Sequence, residues 1–198
     1  VAIDGVDGAG KTTFADEFAL TLADKGISVV RASVDGFHNS RAIRYRRGRD
    51  DPKGFFLDSY NYDELHRYLL NPFREGAEIV HTSRFDHESD LERSIKTTVN
   101  QSSILVIDGI FLHRDELFRQ WDFSIFLSVP FSVSYARMAL RDGSNPSPCA
   151  IENKRYYEGQ QIYLRTSTPE MRASVVIENS VFEFPKFMTP LGRRPDDL

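Results

Sequence analysis

Five short runs of this 198-residue chain are almost continuously apolar: Val1 to Asp4, Ile27 to Val34, Ile104 to Asp108, Phe123 to Leu127 and Ala173 to Ile177. Most are rich in Val and Ile. A strand with one wet face would alternate apolar and polar residues. Continuous runs instead predict strands of a parallel sheet covered on both faces. Between them the spacing becomes helical. Lys11 to Lys25 carries Phe14, Phe18, Ala19 and Leu22 on one face, and Gly26 stops it. Tyr62 to Leu70 and Val133 to Leu140 follow a similar pattern. Alternating strands and helices predict an α/β fold with right-handed crossovers. There are no repeats. Gly143-Ser-Asn-Pro-Ser-Pro148 is the only linker-like stretch, and it predicts a mobile loop rather than a domain boundary. Residues 1–198 are therefore expected to form one domain.

Composition narrows the function. Forty per cent of the residues are hydrophobic, enough for a real core. The net charge of −4 argues against generic binding to nucleic acid, which favours a basic surface. One cysteine, Cys149, excludes an internal disulfide and fits a reducing cytoplasm. No apolar run approaches the roughly 20 residues that span a bilayer, and no signal peptide is visible. The first apolar run opens at Val1 without a Met, so a few native residues are expected before it.

The chemistry concentrates where the first apolar run ends. Gly5-Val6-Asp7-Gly8-Ala9-Gly10-Lys11-Thr12 fits G-x-x-x-x-G-K-[ST] without adjustment. It follows a predicted strand and opens a predicted helix, as the motif requires. Glycines let backbone N–H groups turn inward around phosphate oxygens. The helix N-terminus adds unsatisfied donors and a positive dipole end. In this reading residues Gly5 to Thr13 cradle the phosphates of ATP, Lys11 reaches the β- and γ-phosphates, and Thr12 offers a hydroxyl to Mg²⁺. With glycine at about 7% of residues, a chance match would arise in roughly one chain in a hundred of this length. The fold class that follows is a P-loop NTPase-type parallel sheet with helices on both faces and a small helical lid.

Ile104 to Asp108 is four apolar residues followed by a carboxylate, the Walker-B pattern, which sets Asp108 beside Thr12 as a second group for Mg²⁺. The plainer reading is a strand-terminal turn with Gly109. A guanine-reading N-K-x-D is missing: Asn153-Lys-Arg-Tyr156 has tyrosine where the aspartate must be. Asp51-Pro-Lys-Gly54 spells D-x-x-G, but it follows Arg-Arg-Gly-Arg-Asp rather than a strand. A GTPase is disfavoured, and a small-molecule kinase remains.

Here the chain resembles the uridine kinase family and its relatives, which include pantothenate kinases. Four blocks carry the resemblance in order over nearly the whole chain: the P-loop, Val34-Asp-Gly-Phe-His38, Val106-Ile-Asp-Gly-Ile-Phe-Leu112 and Arg137-Met-Ala-Leu-Arg141-Asp142. A looser fifth is Arg155-Tyr-Tyr-Glu-Gly-Gln-Gln-Ile-Tyr163, followed by Pro169 and Val176-Ile-Glu-Asn179. Thymidylate kinases share a similar P-loop, but they carry an Asp-Arg pair that occurs nowhere in this chain.

The resemblance implies that Asp35 faces the acceptor hydroxyl as general base, directly or through a metal-bound water; the alternative is an Asp turn before Gly36. It places Arg137 and Arg141, four apart on one helix face, at the start of a lid spanning about residues 141–166, where guanidinium groups clamp phosphates. Arg155 is a further lid candidate. It puts Phe55-Phe-Leu-Asp58-Ser-Tyr60 and Arg84-Phe85-Asp86-His87-Glu88 where the acceptor is held, with Asp58, Phe85, Asp86 and His87 as the groups for a base and for sugar hydroxyls. Core packing is the competing reading for the aromatics.

Arg41 to Arg49 holds five arginines in nine residues. It reads either as a solvated loop partly neutralised by Asp50 and Asp51, or as a border of the acceptor site that attracts an anion. The leading function is ATP- and Mg²⁺-dependent phosphorylation of a nucleoside such as uridine or cytidine. The runner-up changes the acceptor to pantothenate, a sugar or another metabolite. A nucleotide-binding regulator without turnover is the reading from another class. No nucleic-acid or membrane partner is expected. A homo-oligomer is left open, as is ATP against GTP.

Overall fold

The computed structural model describes residues 1–188. All five apolar runs are strands of one sheet, in the order β2-β5-β1-β6-β7-β8. They are β1 (Ala2–Gly5), β2 (Val29–Ser33), β5 (Ile104–Gly109), β6 (Ser124–Ser128) and β7 (Val175–Glu178), all parallel. A short edge strand, β8 (Lys186–Met188), joins β7 in the antiparallel sense. The sequence pattern gave no sign of it.

The continuous apolar runs have the expected cause. Ala2, Ile107, Phe126 and Val176 belong to one core, on one face of the sheet. Their chain neighbours Ile3, Val106, Ile125, Leu127 and Ile177 belong to the other. Both faces bury side chains, so neither set of alternate positions is free to be polar.

Helix α1 (Lys11–Asp24) starts at the glycine loop and buries Ala15 and Ala19, with Phe14, Phe18 and Leu22 packed beside them. Its end is marked by Gly26 at φ +77°, a conformation that costs other residues more. Helix α6 (Phe131–Asp142) follows β6, and α7 (Lys154–Ser167) and α8 (Pro169–Arg172) lead into β7.

Between β2 and β5 lies an insertion in two layers. The first is helical: α2 (Arg41–Arg44), α3 (Pro52–Asp58), α4 (Tyr62–Leu65), a π-helical turn over His66–Leu70, and α5 (Asn71–Arg74). Asp51 caps α3, its carboxylate accepting from the Gly54 N–H at 2.6 Å, with Pro52 at the first helical position. The D-x-x-G match is thus a helix start. The second layer is an antiparallel hairpin, β3 (Ile79–Asp86) with β4 (Leu91–Thr98). It went unseen because β4 is exposed along nearly its whole length and carries no buried-face alternation. Among the described residues no helix is long and apolar enough to cross a membrane.

Helices α3 and α7 meet closely at Gly159, where a Cβ would lie 2.7 Å from Phe55 Cδ1 and 2.9 Å from the Pro52 carbonyl oxygen. Gly159→Ala is expected to lose stability, because overpacking costs about 1–3 kcal/mol against about 1 kcal/mol of helix propensity gained. A urea midpoint at or above that of the parent protein would show that the two helices can separate without loss.

Candidate active site

Parallel pairing decides which strand ends meet. β1 sits between β5 and β6, with Ile3 beside Asp108 and Asp4 beside Gly109. β2 flanks β5, with Ser33 also level with Asp108. The carboxyl ends of β1, β2 and β5 therefore share one edge, the edge at which open α/β sheets bind ligands. A cavity of about 480 Å³ opens there.

Asp7, Gly8, Lys11 and Thr12 form one wall of it. Val6 and Ala9 are buried beneath them. Gly8 and Gly10 take φ of +73° and +90°, so the loop depends on glycine at both positions. Lys11 Nζ donates to the Val6 carbonyl at 2.9 Å. Thr12 Oγ1 donates to Asp108 Oδ2 at 2.8 Å, while Asp108 Oδ1 lies 3.2 Å from the Arg31 guanidinium. Burial pushes the Asp7 carboxyl up; Lys11 and Arg141 work against that and Asp35 adds to it.

Asp35 stands across the cavity in a 3₁₀ turn, Val34–Phe37, that continues β2. The Tyr60 hydroxyl donates to its Oδ1 at 3.0 Å. Burial, and then the Asp35 charge, raise the Tyr60 pKa well above its usual value, so this hydroxyl keeps its proton as the donor. His38 Nδ1 bonds the Asp35 carbonyl at 2.9 Å, which fixes the proton on Nδ1 in the neutral ring. His38 stacks on His87, centroids 4.6 Å apart, and tilts against Tyr60 at 4.5 Å. Burial lowers the His38 pKa, with Asp35 opposing and His87 and Arg44 assisting. Tyr45, Phe55 and Tyr156 complete a wall rich in rings.

The model of the Phosphoribulokinase / Uridine kinase family matches residues 1–145. The chain belongs to this family. It is 26% identical over 147 residues to the uridine kinase of Ureaplasma parvum serovar 3, covering 72% of this chain and 68% of that protein. A structure described as a possible uridine kinase from Bacillus stearothermophilus superposes with a TM-score of 0.70 at 27% identity, covering 88% of this chain and 85% of that one. Phosphoribulokinase from Rhodobacter spheroides shares the fold, with a TM-score of 0.60 at 15% identity over 98% of this chain and 82% of that one. The family is one of P-loop kinases acting on small molecules, and its members use ATP.

Against this family background, the expected site residues divide. Asp7, Gly8, Lys11, Thr12, Asp35, His87, Asp108, Arg141, Arg155 and Tyr156 all border the cavity. Gly5, Val6, Ala9, Gly10 and Thr13 of the loop are not among its lining residues, and neither are Asp58, Phe85, Asp86 and Arg137. Asp58 is 3% exposed and holds Arg46 and, at 2.7 Å, Arg47. It anchors the arginine loop and is not placed to take acceptor hydroxyls. Phe85 pairs with Glu92 inside the hairpin, and Asp86 caps the hairpin turn by accepting from the Glu88 N–H at 3.0 Å. Arg137 is engaged on the backbone of the loop itself: it donates to the Asn179 carbonyl at 2.7 Å and to the Gly8 carbonyl at 3.5 Å, and its guanidinium lies 3.7 Å from the Phe182 ring centroid. It is not placed as a phosphate clamp inside the cavity. Arg141 stays at the cavity mouth beside Asp142 at 2.8 Å.

The basic stretch is largely engaged internally. Arg41 and Arg44 reach the Glu88 and His87 carbonyls and Asp90, and Arg46 and Arg47 hold Asp58. Arg155 donates to the carbonyls of Arg44, Gly48, Arg49 and Asp51, tying α7 to this loop. Tyr45, Tyr60, Tyr135 and His38 also line the cavity, and the sequence gives none of them a role there. His38 ends the Val34-to-His38 stretch that carries the family resemblance; nothing in the spacing links Tyr60 to Asp35, 25 residues away.

Burial disfavours the Asp58 charge, but hydrogen bonds from Arg46 and Arg47 and their charges outweigh it and lower its pKa. A carboxylate with a lowered folded pKa stabilises the fold above its unfolded pKa, about 3.9, and loses that contribution as pH falls through the folded value. Between pH 5 and 2 the parent protein should therefore lose stability more steeply than Asp58→Asn, which carries no titrating group there. Parallel denaturation midpoints across that range would remove the arginine pair as the cause.

Proposed function

We propose that this chain transfers the γ-phosphoryl group of ATP to a hydroxyl of a nucleoside. The observation that carries the reading is one shared cavity, in which Lys11, Thr12 and Asp108 face Asp35 across a wall of rings: His38, His87, Tyr45, Phe55, Tyr60 and Tyr156. A planar base offers its faces to such rings, and the relatives named uridine kinase point the same way.

The roles follow from phosphoryl-transfer chemistry, which asks mainly for positioning and charge neutralisation. Backbone N–H groups of residues 8–13 and the start of α1 hold the phosphates. Lys11 exchanges the Val6 carbonyl for phosphate oxygens. Thr12 and Asp108 would hold Mg²⁺. Their two oxygens suit a cation that completes its shell with phosphate oxygens and water, and the ion would supply charge neutralisation. Asp35 takes the proton of the acceptor hydroxyl as its oxygen bonds to phosphorus and the bond to ADP breaks. Tyr60 keeps the Asp35 carboxylate aimed. Arg141 at the mouth neutralises charge on the transferring group.

A panel of acceptors with Mg·ATP, scored by ADP release, tests the substrate class. Uridine or cytidine should stimulate release strongly over slow basal hydrolysis. Turnover with pantothenate or a free sugar alone would move the acceptor class and keep the donor chemistry; binding of ATP with no turnover on any acceptor would favour a regulator.

Asp35→Asn is expected to keep Mg·ATP affinity within a few-fold and to lower acceptor phosphorylation by ~10²–10⁴. Collapse of ATP binding with a normal residual rate would make Asp35 a metal or structural residue instead. Lys11→Ala should abolish turnover and weaken ATP binding, measured by titration with ATP; normal turnover in the folded variant contradicts the P-loop role.

A further inference from the structure

A carboxylate that takes no part in the chemistry above sits directly under the phosphate loop. Asp4, the last residue before Gly5, has no exposed surface. Its Oδ1 accepts from the Gly5 N–H at 2.7 Å. Its Oδ2 accepts from the His113 N–H at 3.0 Å, from His113 Nδ1 at 2.8 Å and from the Tyr163 hydroxyl. His113 and Tyr163 are also fully buried. Both donors come from elsewhere in the chain, His113 from the segment after β5 and Tyr163 from α7.

Three residues earlier on α7, Gln160 makes a second contact with the same loop. Its Nε2 donates to the Tyr156 carbonyl at 3.1 Å, which fixes Oε1 as the acceptor. That oxygen takes the Asp7 N–H at 2.7 Å. Gln160 too has no exposed surface. Residues three apart share a helix face. One face of α7 thus holds the loop at two points, at Gly5 through Asp4 and at Asp7 directly. A buried amide, carboxylate and phenol are costly unless paired, so each bond constrains its partner's position. Burial and the Asp4 charge also raise the Tyr163 pKa well above its usual value, which keeps its hydroxyl a donor.

We propose that α7 is a buttress that sets the shape of the phosphate loop, with Tyr163 and Gln160 as positioning residues for nucleotide binding. This rests on the reading of the loop as the nucleotide site. Neither side chain lines the cavity; both act through Asp4, Gly5 and Asp7.

Tyr163→Phe keeps the ring and removes one donor, and Gln160→Leu removes the acceptor for Asp7. ADP affinity measured by calorimetry should weaken about ten-fold in each, the loss expected of one hydrogen bond to a charged or buried group, with kcat at saturating ATP within about three-fold. Amide exchange at Gly5 and Asp7, read without nucleotide, should quicken. Unchanged ADP affinity in variants whose melting curves match the parent, or unchanged exchange at both amides, overturns the proposal. If the parent protein binds neither ADP nor ATP, the nucleotide reading fails instead, and the exchange of Gly5 and Asp7 still decides whether α7 shapes the loop.

Discussion

The parallel pairing of β1 with β5 and β6 is the constraint on which the rest of this structure depends. Parallel strands point their carboxyl ends the same way, so whatever follows each strand collects on one edge. Here the glycine loop follows β1, Asp35 follows β2 and Asp108 closes β5. Register then sets distance. Asp108 stands level with Ile3 and Ser33, close enough for its carboxylate to accept from Thr12. A shift of one residue would turn Asp108 to the other face of the sheet and separate the pair. The two cores, one on each face, hold that register because each strand buries side chains in both directions.

The insertion between β2 and β5 supplies the other half of the cavity by a different kind of physics. Its helices are short, and much of its order comes from arginines bonded to carbonyls and carboxylates. Arg155 ties α7 to the 44–51 loop, Arg46 and Arg47 meet on Asp58, and Arg41 and Arg44 reach the hairpin turn. A guanidinium with several fixed donors suits this work better than an ammonium. The stretch that reads in sequence either as a solvated loop or as a border attracting an anion is thereby a framework at the surface of the insertion, with Arg46 and Arg47 still partly exposed. It carries Tyr45 and Arg44 to the cavity wall.

The two walls of the cavity are joined through α7. Its first turn brings Arg155 and Tyr156 to the cavity, Gly159 seats it on α3, and Gln160 and Tyr163 reach the phosphate loop. One helix thus fixes the two walls relative to each other, which is the positioning that phosphoryl transfer most needs.

The amino-acid sequence by itself determined the five parallel strands of the sheet, the phosphate loop and the strand-end carboxylates. Continuous apolar runs have one good use, burial on both faces, and G-x-x-x-x-G-K-T between a strand and a helix is a local motif whose geometry comes from neighbouring residues. The tertiary structure decided everything that depends on partners far apart in the chain. Asp58, Phe85, Asp86 and Arg137 looked suited to a site by type and order, yet Arg46 and Arg47 hold Asp58, Phe85 and Asp86 belong to the hairpin and its turn, and the Asn179 and Gly8 carbonyls engage Arg137. Tyr60 on Asp35, and Tyr163 with His113 on Asp4, join residues 25 to 159 positions apart. No periodicity records such pairs, because hydrogen-bond geometry between distant segments exists only once the sheet and its helices have packed.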